Sequence, residues 1–124
     1  MNEALWIMQT ALCAFFLMAG IGKVTGTKDK HVADGHIKPN GSVAPIRILG
    51  VLELAGCVGI ILPWLTGVVP VLTPMAGIGF CLVMASGMIV HVARKEYKML
   101  PMLLAIMLMA LIVAYCRLSS LNPN

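Results

Sequence analysis

Four continuous apolar runs, each close to the length needed to cross a bilayer, constrain this 124-residue chain more than any other feature. A spanning helix needs roughly 20 apolar residues, because ~30 Å of hydrocarbon is crossed at ~1.5 Å per residue. The runs cover 4–21, 46–65, 71–93 and 99–116. None alternates with a period of two, so a closed barrel is excluded. Helices are then the remaining way to satisfy the backbone in hydrocarbon. The expected fold is all-α, a single integral membrane four-helix bundle over 1–124.

Composition agrees. The chain is 60% hydrophobic and 11% charged, well short of the ~25% charge of soluble domains, and its mean hydropathy is +0.94. A net charge of +4 does not imply a nucleic-acid partner, because the cations flank apolar runs, where membrane topology puts them. Cys13, Cys57, Cys81 and Cys116 lie inside those runs without CxxC or Cys/His spacing. They read as small buried hydrophobes, with no metal site. The first run follows Asn2 and Glu3 instead of a basic stretch, and no small-residue cleavage site is clear after it. It is therefore expected to persist as a mature helix.

Breakers divide the runs. Gly22 and Gly26 mark the exit of the first helix. A polar stretch from Lys23 to Ala44 follows, with the turn-forming PNGS at 39–42; its sequence does not demand a helix. Pro45 suits a helix start, Pro63 should bend or close the second helix, and Pro74 is tolerated in the first turn of the third. Arg94 to Lys98 form the turn into the fourth helix, and SSLNPN is a polar tail.

Eight of the nine Lys and Arg residues fall on one face of the membrane, and only Arg117 lies on the other. The positive-inside rule then puts both charged loops in the cytoplasm and both termini outside. The expected location is the cell membrane, as a multi-pass protein. Trp6, Trp64 and Tyr115 fit an outer aromatic belt and Tyr97 an inner one. Gly77, Cys81 and Ala85 make a small-residue stripe, and Ala55 and Gly59 a second one, of the kind that lets helix backbones approach in lipid. The ten methionines read as packing filler and lipid contacts.

Glu53 is the most informative residue. It lies about seven residues into the second helix, ~10 Å below the charged boundary. A charge at that depth costs at least ~2.5–3.5 kcal/mol. It should therefore face the bundle interior, and be paired or protonated. Lys23, Arg47 and His91 lie in the same half of the membrane. Arg47 and Glu53 are six residues apart, ~120° around the helix, and so poorly placed to pair. Gly50 lies between them and leaves bare backbone that either a neighbouring helix or a flat ligand could fill. His91 reads either as an interfacial histidine or as a proton donor or acceptor. Lys23 and Arg47 read either as ligand-binding cations or as snorkelling anchors. Gln9 is expected to contact a neighbouring helix in the outer half. His31 and His36 are too sparse for a metal site.

The stretches FFLMAGIGKVTG at 15–26, RILGVLELAGCVGIILPWL at 47–65 and VHVARKE at 90–96 resemble the DoxX-like family of small four-helix membrane proteins. The AGxxK and RxxGxxExxG patterns are the more specific parts. The 27–44 segment departs, being more polar than the family's interfacial segment. The resemblance implies a four-helix bundle with Lys23, Arg47, Glu53 and His91 as family-like polar positions. It also implies association with thiosulfate:quinone oxidation or oxidative-stress complexes, while distant animal relatives act as assembly chaperones for receptor channels.

Three functions follow as expectations. The first is a redox-associated membrane protein that binds a quinone-like or other lipophilic small molecule, with Lys23 and Arg47 binding it and Glu53 and His91 moving protons. That reading needs no covalent cofactor, with quinone the candidate ligand. The second is a non-enzymatic assembly or interaction subunit, whose partners are a membrane protein or further copies of this chain besides membrane lipids. The third, a transporter or channel subunit, needs oligomerisation, because four short helices enclose little pore.

Overall fold

A computed structural model describes residues 2–35 and 37–121. His36 and the last three residues of the expected polar tail lie outside the described residues. Four long helices carry the fold: α1 (Asn2–Thr25), α3 (Ala44–Thr66), α4 (Leu72–Ala93) and α5 (Leu100–Leu121). Each is long and apolar enough to span a membrane. A short helix α2 (Lys28–Ala33) occupies the polar stretch after α1, and a single 3-10 turn at Tyr97–Met99 leads into α5. The result is an all-α bundle of a multi-pass membrane protein.

The helices run beyond the expected spans at most ends. The first reaches Thr25, past Gly22: the Gly26 N–H donates to the Gly22 carbonyl at 2.9 Å, and the Thr25 hydroxyl donates back to the Ile21 carbonyl at 2.7 Å. The fourth absorbs Ser119 to Leu121, read from sequence as polar tail; Ser120 is satisfied by donating to the Cys116 carbonyl at 2.9 Å. The segment at 28–33 is helical because the Thr27 hydroxyl accepts from the Lys30 N–H at 3.1 Å, and Lys30 pairs with Asp34 at 2.8 Å. His31 on this helix is buried against Gly26, a placement its exposed-looking sequence context did not signal.

Burial follows a helical stripe on α1, formed by Leu5, Gln9, Leu12, Phe16 and Gly20. Phe16 stacks on Phe80 of α4, with ring centroids 3.8 Å apart and planes within 3°. Leu12, Ile60, Ala110 and Val113 complete a fully buried centre. Outside it, large apolar side chains such as Ile7, Met18, Leu52 and Leu82 stay exposed, which suits lipid contact.

Close helix approach rests on missing side chains. A Cβ on Gly50 would lie 2.8 Å from the Lys23 Cβ and 3.0 Å from the Gly20 carbonyl oxygen. The bare backbone at Gly50 is therefore filled by α1, not left for a flat ligand. On α4, a Cβ on Gly77 would meet the Ala110 carbonyl oxygen at 3.0 Å, and the Cys81 Sγ lies 3.6 Å from the Met107 carbonyl. That stripe packs on α5. The second stripe holds at one of its two positions: Gly59 faces Ala76, whereas Ala55 is exposed and Gly56 faces the Phe80 ring in its place. Spacing by four along α3 could not tell Ala55 from Gly56, because the large ring that selects Gly56 comes from another helix.

Pro63 explains two further contacts. Proline has no N–H, so the carbonyl four residues earlier, that of Gly59, loses its helical donor. The buried Thr73 hydroxyl of α4 donates to it at 2.9 Å. The adjacent Ile60 carbonyl accepts from Gln9 Nε2 at 2.6 Å. Gly67, at φ +74°, then closes α3 in a left-handed cap.

The packing at Gly77 can be tested on a single helix. Gly77→Leu should lower stability in detergent by ~1–3 kcal/mol through overpacking against α5. Gly79→Leu, at an exposed site with nothing within 4 Å, should cost far less. Thermal unfolding of the two variants decides it, and equal losses would remove the α4–α5 contact as the cause.

Candidate functional site

Two polar centres lie at opposite ends of the bundle. At the end carrying the charged loops, Lys23 closes α1 and projects its ammonium to Glu53 on α3, with Nζ 2.8 Å from Oε1. The two side chains meet because Gly20 and Gly50 bring the helix backbones together one turn away. Glu53 is 1% exposed and Lys23 19%, so the carboxylate lies inside the protein and the cation is the more exposed of the two. The other carboxylate oxygen, Oε2, is buried and has no hydrogen-bond partner among the described residues. Buried acceptors of this kind are rare in folded proteins and ask for an explanation.

A cavity of about 460 Å³ opens beside it. Lys23 and Phe15 of α1, Glu53 and Leu49 of α3, and His91 of α4 are among its lining residues. The walls are otherwise mainly apolar. His91 lies at the charged end of α4 with Nδ1 3.6 Å from Glu96 Oε1, and Glu96 also takes the Arg94 Nε at 3.2 Å. Arg94 Nη1 reaches back to donate to the Gly35 carbonyl at 3.4 Å, and Gly35 lines the cavity. The polar loop after α1 thus folds over this end of the bundle.

The structure therefore brings together three of the four polar residues singled out from sequence: Lys23, Glu53 and His91. Arg47 does not line the cavity; it sits partly buried in the first turn of α3. The same turn supplies Ile46 to the cavity wall instead. No group of His, Cys, Asp and Glu capable of holding a metal occurs among the described residues.

The second centre was missed as a unit. Arg117, read from sequence as a lone topology charge, is 3% exposed. Its Nε donates to Gln9 Oε1 at 2.7 Å and its Nη1 to Asn2 Oδ1 at 2.8 Å. The guanidinium carbon lies 5.3 Å from the Trp6 ring centre and 4.6 Å from that of Trp64. Both tryptophans therefore hold a cation instead of serving only as an aromatic belt. Gln9 spans to α3 through Ile60, so one network ties α1, α3 and α5 together. A signal was present: Asn2, Trp6 and Gln9 recur at helical spacing, and Gln9 belongs to the Leu5–Leu12–Phe16 stripe. The 460 Å³ cavity does not include Arg117 in its lining. Chemically this end is a clasp, and the end with Glu53 is the candidate site.

Compared with known families, residues 7–115 match the family model of the DoxX-like family. No curated protein and no solved structure matches the chain.

The Lys23–Glu53 pair makes a cycle of variants informative. Glu53→Leu leaves the Lys23 ammonium without its partner and should cost ~3 kcal/mol, the low end for a broken buried pair, since Lys23 is only partly buried. The double variant Lys23→Met with Glu53→Leu should recover most of that loss, because two apolar side chains replace a desolvated pair at little net cost. Chemical or thermal unfolding in detergent measures both. A double variant as unstable as the single would show that Glu53 serves the fold through something other than Lys23.

Proposed function

The chain belongs to the DoxX-like family, and on that footing we propose that it binds a quinone-like or other lipophilic small molecule at the Lys23–Glu53–His91 end of the bundle, as a redox-associated protein of the cell membrane. The observation that carries this reading is the cavity beside Glu53, with a buried carboxylate oxygen that has no donor among the described residues. Its volume falls within the ~300–1,000 Å³ of ordinary ligand pockets. Its character fits as well: mainly apolar walls, a few converging polar groups, and a position between the helices of a bundle. An ionisable side chain inside a membrane protein that faces such a cavity is a functional-site candidate by default.

Within the site, Lys23 offers its remaining N–H groups to a ligand oxygen. Glu53 and His91 are the groups able to accept or release a proton there. His91 connects toward the surface through Glu96, whose side chain is 42% exposed. Arg47, outside the lining, acts in this proposal as a cation of the interface.

The orientation belongs to the same proposal. Arg117 is buried in its clasp and Lys23 is paired with Glu53. Taking those two out leaves seven cations on the face with the two charged loops and none on the other, a sharper asymmetry than the bare count. That supports cytoplasmic loops and termini outside the cytoplasm. A reporter active only in the cytoplasm should stay silent when fused after residue 124, and a strong signal there would reverse the assignment.

Ligand retention tests the site itself. Protein extracted in mild detergent should carry a lipophilic molecule that mass spectrometry detects in the organic extract. Glu53→Gln should fold with nearly the same thermal stability but lose most of that molecule. Equal retention by both proteins would leave Glu53 as internal glue. Recovery only within a larger complex, with no bound small molecule, would favour an assembly subunit.

A further inference from the structure

We propose that the ligand is a neutral amphiphile with a free hydroxyl, such as a long-chain phenol or hydroquinone, that donates its hydroxyl hydrogen to Glu53 Oε2 while its chain leaves sideways into the membrane. This rests on the reading that the cavity beside Glu53 is a ligand site, and deepens it by naming the chemistry of the head group.

The first argument is the identity of the unsatisfied atom. Glu53 Oε2 is an acceptor, and it is buried with no donor among the described residues. An ionised carboxylate has acceptor capacity only. The ligand must therefore bring a hydrogen to this oxygen; a carbonyl or an ether oxygen would set acceptor against acceptor. The same atom decides between the hydroxyl form and the carbonyl form of a quinone-like molecule, in favour of the hydroxyl.

The second argument is charge. An amine head group would also supply a donor, but it would bring a second cation to a carboxylate whose other oxygen is 2.8 Å from the Lys23 ammonium. Lys23 and Glu53 together are neutral, so a charged head group would enter a desolvated site without a counter-charge of its own. A neutral hydroxyl takes the hydrogen bond without that cost.

The third argument is the route out. Leu82, Ser86 and Val90 line the cavity on the α4 side. Leu82 is 65% exposed and Val90 50%, so these same residues face outward. On α3 the wall is made by Ile46 and Leu49. A chain leaving between these two helices would emerge among lipid acyl chains, so the ligand partitions in the membrane and enters from the side. Phe15, also on the wall, offers an aromatic face to a phenolic ring.

The test uses the full-length protein in lipid nanodiscs and three probes of equal chain length: a decyl hydroquinone, its dimethyl ether and decyl ammonium. Binding is followed by isothermal titration under reducing conditions. A hydrogen bond to a charged acceptor is worth enough that the hydroquinone should bind at least about tenfold more tightly than either of the other two. In Glu53→Gln, checked for unchanged thermal stability, the preference over the ether should shrink to within about threefold. Equal binding of hydroquinone and ether, or tighter binding of the ammonium, would overturn the hydroxyl assignment while leaving a lipophilic-ligand site in place. A preference that survives unchanged in Glu53→Gln would move the hydroxyl to another partner and overturn it too. If none of the three binds, the ligand-site reading fails with it.

Discussion

Hydrocarbon offers no hydrogen bonds, and most of the polar detail in this bundle follows from that single constraint. The proline in α3 strips the Gly59 carbonyl of its helical donor, and Thr73 crosses from α4 to replace it at 2.9 Å. Gln9 spends its amide hydrogen on Ile60 and its carbonyl on Arg117. Arg117 in turn finds Asn2 and two indole faces. Glu53 meets Lys23. Each contact ties one helix to another because the partner that water would have supplied must come from the protein. Glu53 keeps one carboxylate oxygen without a donor among the described residues, and Glu53 lines a cavity.

The spans were legible because they depend on composition over a window, which is local information. The depth of Glu53 was equally local, and its company followed from counting residues to the membrane boundary, so Lys23 and His91 could be named before any packing was known. What depended on three-dimensional neighbours was not legible. Arg117 looked like a surface charge at a helix end; only the approach of α1 with Gln9 and Trp6 makes it an interior residue. His31 looked like a loop residue, and only the capped turn at Thr27 brings it against Gly26. Gly56 and Ala55 are indistinguishable by size pattern until Phe80 arrives from α4. Arg47 shares the depth of Glu53, but its ~120° offset around the helix, legible in the sequence, already argued against a direct pairing.

The two centres have opposite physical characters although both rest on charged side chains. Arg117 is surrounded by two side-chain carbonyls and two aromatic rings, which spread over its guanidinium as a rigid plane. Such a site holds shape and leaves little room. The Lys23–Glu53 pair engages one oxygen of a carboxylate that has two, and the flexible lysine stem lets the pair adjust to a third group.

The position of the cavity follows from how the helices are tied. Helices α1 and α3 are locked together at the charged end, where Gly20 and Gly50 allow backbone contact. Helices α4 and α5 are joined at that end by a turn of only a few residues and packed through Gly77 on Ala110 and Ala114. The two pairs are fastened to each other at the other end by the short link between Thr66 and Leu72, by Thr73 on Gly59, and by Arg117 across to Gln9 and Trp64, and in the middle by Phe80 against Phe16 and Gly56. Between the pairs at the charged end, the loop after α1 adds a contact, Arg94 on Gly35. The cavity opens there, at the depth where Glu53 waits with its unpaired oxygen. The clasp and the candidate site thus lie at opposite ends of one bundle, the first filled by side chains and the second left open as a cavity.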